Sequence, residues 1–180
     1  MSERVALVGL SGAGKTTVAP KVAARLGCDW IDLDLEIARA AGTGAGVGDL
    51  IREEGEAAFR AREAEALRQA LEVDRRPRLV IACGAGALSL PENRDRLQAR
   101  AVTIWLRVTP GIAAERLGSA PEGDRPLLEG DAPKARLQTL WEARRAAYEA
   151  AATGVVDTEG RTPDEVVERV VALLRAAGWA

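Results

Sequence analysis

Five short stretches of the chain are apolar almost without interruption: Arg4–Gly9 (RVALVG), Trp30–Leu33, Leu79–Cys83, Ala101–Val108 and Gly154–Asp157. Runs of this length and character suit strands buried in a parallel sheet. Between them lie segments that read as helices, at Thr16–Leu26, Leu35–Ala41, Asp49–Val73, Pro91–Gln98, Pro110–Leu117, Ala135–Ala152 and Pro163–Ala177. In the first of these Val18, Val22 and Leu26 fall near one face, and Pro20 costs it one backbone hydrogen bond. Thr162, Pro163 and Glu165 form the start signal of the last helix, with threonine as cap and proline at the first helical position. Strands that alternate with helices predict a parallel sheet covered on both faces, a three-layer α/β/α domain. Two segments stand outside this rhythm. Gly42–Gly48 (GTGAGVG) is glycine-rich and should be mobile or tightly turned. Gly118–Pro133 is polar, rich in Gly and Pro and long for a loop, which suits a functional lid.

The length of 180 residues allows one domain with a real core and is short for two. The composition, 47% hydrophobic and 29% charged, is that of a globular protein. A net charge of -2 gives no support to nucleic-acid binding, and no apolar stretch is long enough for a membrane span, so the expected location is the cytoplasm. The chain has no histidine, which removes Ser-His, Cys-His and His-metal chemistry. Cys28 and Cys83 lack metal-ligand spacing and read as buried small apolar residues. Catalysis is left to carboxylates, arginines, lysines, backbone amides or a bound ion.

Gly9-Leu-Ser-Gly-Ala-Gly-Lys15-Thr16 matches the phosphate-loop pattern without a mismatch, directly after a predicted strand and before a predicted helix. Gly12 and Gly14 let backbone N–H groups turn toward an anion, and the helix start adds its partial positive charge. Lys15 supplies a full charge against the β- and γ-phosphates of ATP, and the Thr16 hydroxyl can ligate Mg²⁺. Ala13 and Thr17 complete the cradle. The loop does not say what receives the phosphoryl group.

The acceptor side is expected beyond the carboxyl end of the second strand, where Asp32 and Asp34 project toward the same crevice. One aspartate can accept the proton of an attacking hydroxyl and the other can hold the metal. Asp34 could equally be a helix cap. Arg60, Arg144, the turn Cys83-Gly-Ala-Gly86 and Arg125 in the suspected lid are further candidates, with arginine suited to a bidentate grip on a carboxylate.

Taken together, WIDLDLEI, EGEAAFRAREAEAL, ACGAGAL, GDRPLL and EARRAAYEAAA resemble the shikimate kinase family over nearly the whole chain. The resemblance implies a P-loop kinase fold of the nucleoside-monophosphate-kinase type with strand order 2-3-1-4-5, a mobile lid at about 118–133 and a substrate-binding region at about 33–62. It implies ATP and Mg²⁺ as cofactors, shikimate as the partner and transfer of the γ-phosphoryl group to its 3-hydroxyl, within aromatic amino acid biosynthesis. A monomer is expected. By the same resemblance Lys15 and Thr16 meet ATP and Mg²⁺, Asp32 lies near the metal, and Asp34 holds the substrate hydroxyls as the base. Arg60 and Arg144 bind the carboxylate. Arg144 is preferred to Arg145 because the motif sets its arginine four residues before Tyr148. Gly84, Ala85 and Gly86 form the substrate turn, Arg125 is the lid arginine, and Arg116 with Arg161–Pro163 flanks the adenine. The family has glycine where this chain has Ala85, which is strained only if its φ is positive. It also has a less glycine-rich stretch at 42–48, and a Gly-basic pair at 19–20. Two rivals stay open: a kinase of another hydroxy acid or polyol such as gluconate, and a nucleotide-binding regulator without turnover.

Overall fold

The five apolar runs become the strands of one sheet in the computed structural model, which describes residues 3–42, 46–118 and 133–179. The strands are β1 (Arg4–Val8), β2 (Asp29–Asp32), β3 (Leu79–Ala82), β4 (Val102–Arg107) and β5 (Gly154–Asp157). They run parallel in the order β2-β3-β1-β4-β5. β1 and β3, in the middle, are buried residue after residue, which is why their sequences are apolar without alternation. Pairing of Leu7 with Ala82 and of Val8 with Trp105 brings the carboxyl ends of three strands level.

The helices are α1 (Lys15–Leu26), α2 (Leu33–Ala41), α3 (Val47–Glu54), α4 (Glu56–Arg68), α5 (Pro91–Arg100), α6 (Pro110–Gly118), α7 (Pro133–Ala151) and α8 (Pro163–Ala176). The crossover from β1 to β2 runs one way along the sheet, and those from β2 to β3, β3 to β4 and β4 to β5 run the other. Right-handed connections therefore put α1 on one face, where α8 packs against it, and the remaining crossover helices on the opposite face. This is the three-layer arrangement the pattern predicts. The predicted cap of α8 forms as a capping box between Thr162 and Glu165, and α1 runs through Pro20. Cys83 is buried, Cys28 is partly buried, and both are free thiols. Among the described residues no helix is long and apolar enough to cross a membrane.

One element differs from its expectation. Asp49–Val73 reads as a single helical region, but Gly55, at φ 88 and ψ 159, divides it into α3 and α4. That conformation lies outside the helical region and is one glycine adopts without cost. The Ala-, Glu- and Arg-rich residues on both sides favour helix, so composition gave no sign of the break. The tail, Gln69–Val73, closes as a π-helical turn. The break lets α2, α3 and α4 meet around Ile37, Leu50 and Phe59, a small cluster separate from the core on the sheet. This satellite cluster carries Arg60.

Candidate active site

α1 starts at Lys15 with Gly14 as its cap; no side chain caps it, and its first turn holds no acid. The Thr17 N–H donates to the Gly14 carbonyl at 3.1 Å, which leaves the N–H groups of Lys15 and Thr16 and the positive end of the helix dipole for an anion. Gly12 has φ 81, and a side chain there would come within 2.8 Å of the Ala113 carbonyl oxygen. Lys15 Nζ donates to the carbonyls of Gly9 (2.8 Å) and Leu10 (2.9 Å). Burial lowers the Lys15 pKa, while the charges of Asp34 and Asp32 oppose that shift. A cavity of about 320 Å³ lies over this loop, lined among others by Gly12, Gly14, Lys15, Thr16, Thr17 and Arg116. Ala13 is buried and offers only its backbone. Arg116 donates to the Thr158 carbonyl (2.6 Å) and hydroxyl (2.9 Å) and to the Gly12 carbonyl (3.3 Å), tying the loop to the segment after β5. Arg161 lies in that segment too, held by the carbonyls of Asp157 and Glu159, and does not line the cavity.

Asp32 and Asp34 occupy different positions from those a continuing strand would give. β2 ends at Asp32, and Asp32, not Asp34, caps α2: its Oδ1 accepts from the backbone N–H of Asp34 (3.0 Å) and Leu35 (3.4 Å). Its Oδ2 accepts from the Thr16 hydroxyl at 2.6 Å. Asp34 stands in the first turn of α2, free of capping duty. Burial pushes its pKa up to about 6, helped by the charges of Asp32 and Glu63 and opposed by Lys15 and Arg60. Its remaining exposure is to the cavities on either side of it.

A second cavity, of about 330 Å³, adjoins the first; Thr16, Asp32, Asp34 and Ala85 line both. Its far wall carries Arg60, Glu63, Gly86 and Arg144, and Val47, Ile51, Phe59 and Leu140 supply an apolar side. The larger groove between α2 and α4, about 670 Å³, lies away from the phosphate loop and holds none of these groups. Arg60 donates to Glu63 (2.8 Å) and Glu56 (3.1 Å). Arg144 donates to the Ala85 carbonyl (3.1 Å), whereas Arg145 lies outward, paired with Glu149 at 3.8 Å.

At the 84–86 turn a side chain on either glycine would crowd charged groups of the second cavity. A side chain at Gly84 would come within 2.2 Å of Glu63 Oε1 and 2.8 Å of Asp34 Oδ1, and one at Gly86 within 2.0 Å of Arg60 Nη1. Position 85 has no positive φ, since among the described residues only glycines do. Alanine is therefore unstrained there, and the residue lines both cavities.

Glu63 was absent from the candidates that sequence reasoning supplied. It is 1% exposed, and its Oε1 has no hydrogen-bond partner among the described residues. The usable signal was its spacing: three residues after Arg60 on a helix, it must share a face with it. Arg125 and positions 119–132 of the suspected lid lie outside the described residues, as do positions 43–45 of the glycine-rich stretch.

A phosphate loop and a mixed acid and cation pocket, meeting at the carboxyl ends of a parallel sheet, define a P-loop kinase of small molecules. A profile of shikimate kinase matches residues 11–175. The chain belongs to the shikimate kinase family, whose members are ATP-dependent phosphotransferases. It is 41% identical to the shikimate kinase of Burkholderia pseudomallei (strain 1710b) over 174 residues, covering 97% of this chain and 91% of that one. The fold also matches the solved shikimate kinase from Acinetobacter baumannii in complex with shikimate, with TM-score 0.88, 31% identity and coverage of 97% and 93%. A gluconokinase from Sinorhizobium meliloti, at 23% identity, TM-score 0.56 and coverage of 97% and 93%, shares the fold alone.

Proposed function

We propose that this enzyme transfers the γ-phosphoryl group of ATP to the 3-hydroxyl of shikimate. One observation carries the reading: Asp34 stands in the wall common to the phosphate-loop cavity and the cavity that holds Arg60 and Arg144. A ring acid whose carboxylate meets the two arginines would present a hydroxyl to Asp34, facing the phosphates. Two guanidinium groups suit a carboxylate, and the apolar wall of Val47, Ile51, Phe59 and Leu140 suits a hydrocarbon face.

Lys15 and the first-turn N–H groups of α1 hold the β- and γ-phosphates, and Arg116 and the 161–163 segment border the adenine. Arg125 keeps the role of steadying charge on the transferring group. Thr16 and Asp32 are hard oxygen ligands 2.6 Å apart, a pair that would hold Mg²⁺, which takes few protein ligands. When bound, the ion neutralises charge on the phosphate oxygens. Asp34, with a pKa of about 6, is mostly ionised at neutral pH and accepts the hydroxyl proton at a carboxylate oxygen. Most of the acceleration comes from placement and charge, as is usual for phosphoryl transfer. The reading takes the protein as a cytoplasmic monomer.

The test is ADP release with shikimate against gluconate and other hydroxy acids. Shikimate should exceed the rest in kcat/KM. A preference for gluconate would overturn the acceptor, and no turnover with any acid would favour a nucleotide-binding regulator.

A further inference from the structure

Tyr148 has no place in the chemistry described so far, yet it touches two parts of the acceptor site. It is 1% exposed. Its Oη donates to the Ala85 carbonyl at 2.7 Å, the same oxygen that Arg144 reaches at 3.1 Å. Arg144 and Tyr148 are four residues apart on α7 and so share a face. A phenol and a guanidinium therefore converge on one carbonyl of the acceptor cavity.

The ring of Tyr148 is held just as firmly. It stacks on Trp105 of β4 with centroids 5.7 Å apart and planes at 21°, and Trp105 meets Trp141 of α7 at 5.6 Å. The hydroxyl is thus a fixed point, referred to the sheet and not to solvent. A carbonyl oxygen only accepts, so the Tyr148 proton points at Ala85. The peptide joining Ala85 to Gly86 is planar, so a carbonyl pinned toward α7 also fixes the direction of the Gly86 N–H on the cavity wall.

We propose that Tyr148 is a positioning residue for the acceptor: its hydroxyl holds the Ala85 carbonyl, and that carbonyl orients the Arg144 guanidinium toward shikimate. The proposal rests on the reading of Arg144 as an acceptor contact. A guanidinium on a long side chain loses rotamer freedom on binding, and an anchor already in place removes part of that cost. The hydroxyl bonds the Ala85 carbonyl and no residue of the phosphate loop, so the nucleotide should sense its loss far less than shikimate does.

Tyr148→Phe keeps the stacked ring and deletes only the hydroxyl. We expect KM for shikimate to rise about five- to tenfold, the range one hydrogen bond supports. KM for ATP should stay within about twofold, because no phosphate-loop group is touched. The same substitution made in an Arg144→Ala background should leave shikimate KM where Arg144→Ala alone puts it. An unaltered shikimate KM in Tyr148→Phe, with or without a lower melting temperature, would reduce Tyr148 to a packing residue and overturn the proposal. An equal rise in both backgrounds would overturn the route through Arg144. If Arg144→Ala itself leaves shikimate KM unaltered, the acceptor reading of Arg144 falls and takes the route with it.

Discussion

The two halves of the site are built in different ways. The phosphate side comes from residues 9–17, one strand end, one turn and one helix start, and its anion-binding groups are set by local backbone geometry. The proposed acceptor side draws Asp34 from α2, Arg60 and Glu63 from α4, Ala85 and Gly86 from the turn after β3, and Arg144 from α7, all lining one cavity. A phosphate is nearly isotropic, so a ring of N–H groups and one lysine suffices. A hydroxy acid has a direction, with an anionic end and a hydroxyl that must meet the phosphorus, and holding it takes elements from separate crossovers. The acceptor half is therefore the one whose residues depend on each other's placement.

Asp34 stands where the halves meet, and replacing it should have the largest effect. Asp34→Asn should lower kcat by about 10²- to 10⁴-fold, the usual contribution of a positioned base. In the parent enzyme kcat/KM should fall as pH drops through about 6, as the carboxylate takes up a proton. Stability moves the opposite way. The folded pKa lies above the ordinary 3.8, so protonated Asp34 favours the fold below that value, and this advantage is lost as pH rises through about 6. Asp34→Asn should thus be more stable than the parent at pH 8 by on the order of 2 kcal/mol, with the gain vanishing near pH 3.5. Chemical denaturation at the two pH values checks this; an equal difference at both would remove burial as the cause.

Lys15→Ala comes next, with a loss of about 10²- to 10³-fold in kcat, as for removal of one preorganised charge donor. Because that half is local, the melting temperature and the binding of shikimate alone should change little. A large loss of shikimate binding would show the halves to be less separable than drawn.

The smallest effects should come from the substrate turn, as a contrast between neighbours. A Gly86→Ala side chain meets the end of a flexible arginine, so the fold absorbs it while Arg60 is displaced. Shikimate KM should rise about tenfold, equivalent to about 1.4 kcal/mol. Ala85→Gly relieves no strain, since the backbone there needs no positive φ. It should cost about 0.4–1 kcal/mol of stability through the unfolded chain. Equal effects on shikimate KM at the two positions would contradict the spatial reading of Gly84 and Gly86.

Much of this was legible in the sequence because the signals are short-range. The strands announced themselves through unbroken apolar runs, and the phosphate loop through glycines, lysine and threonine at fixed offsets. The order of the strands and the substrate came from resemblance, not from spacing. The break at Gly55 was hidden, since a lone glycine among strong helix formers can be tolerated inside a helix. Of the two aspartates, the sequence offered Asp34 as the alternative cap, whereas the cap is Asp32, because aspartate caps a helix at either position and only the end of β2 decides. Glu63 was passed over as one more charge on an acidic and basic helix, although its offset from Arg60 placed it on the same face.

Residue order alone therefore determined a parallel α/β sheet, a nucleotide phosphate site and the set of charged groups available for chemistry. These depend on periods and offsets of a few residues, which fix local backbone geometry whatever the rest of the chain does. Only the tertiary structure decided that Asp32 is spent on capping α2 and meeting Thr16, that Asp34 is left buried and basic between two cavities, and that Arg144 faces the site while Arg145 does not. Those outcomes depend on which elements the crossovers bring together, and burial and charge at a point are sums over neighbours far apart along the chain.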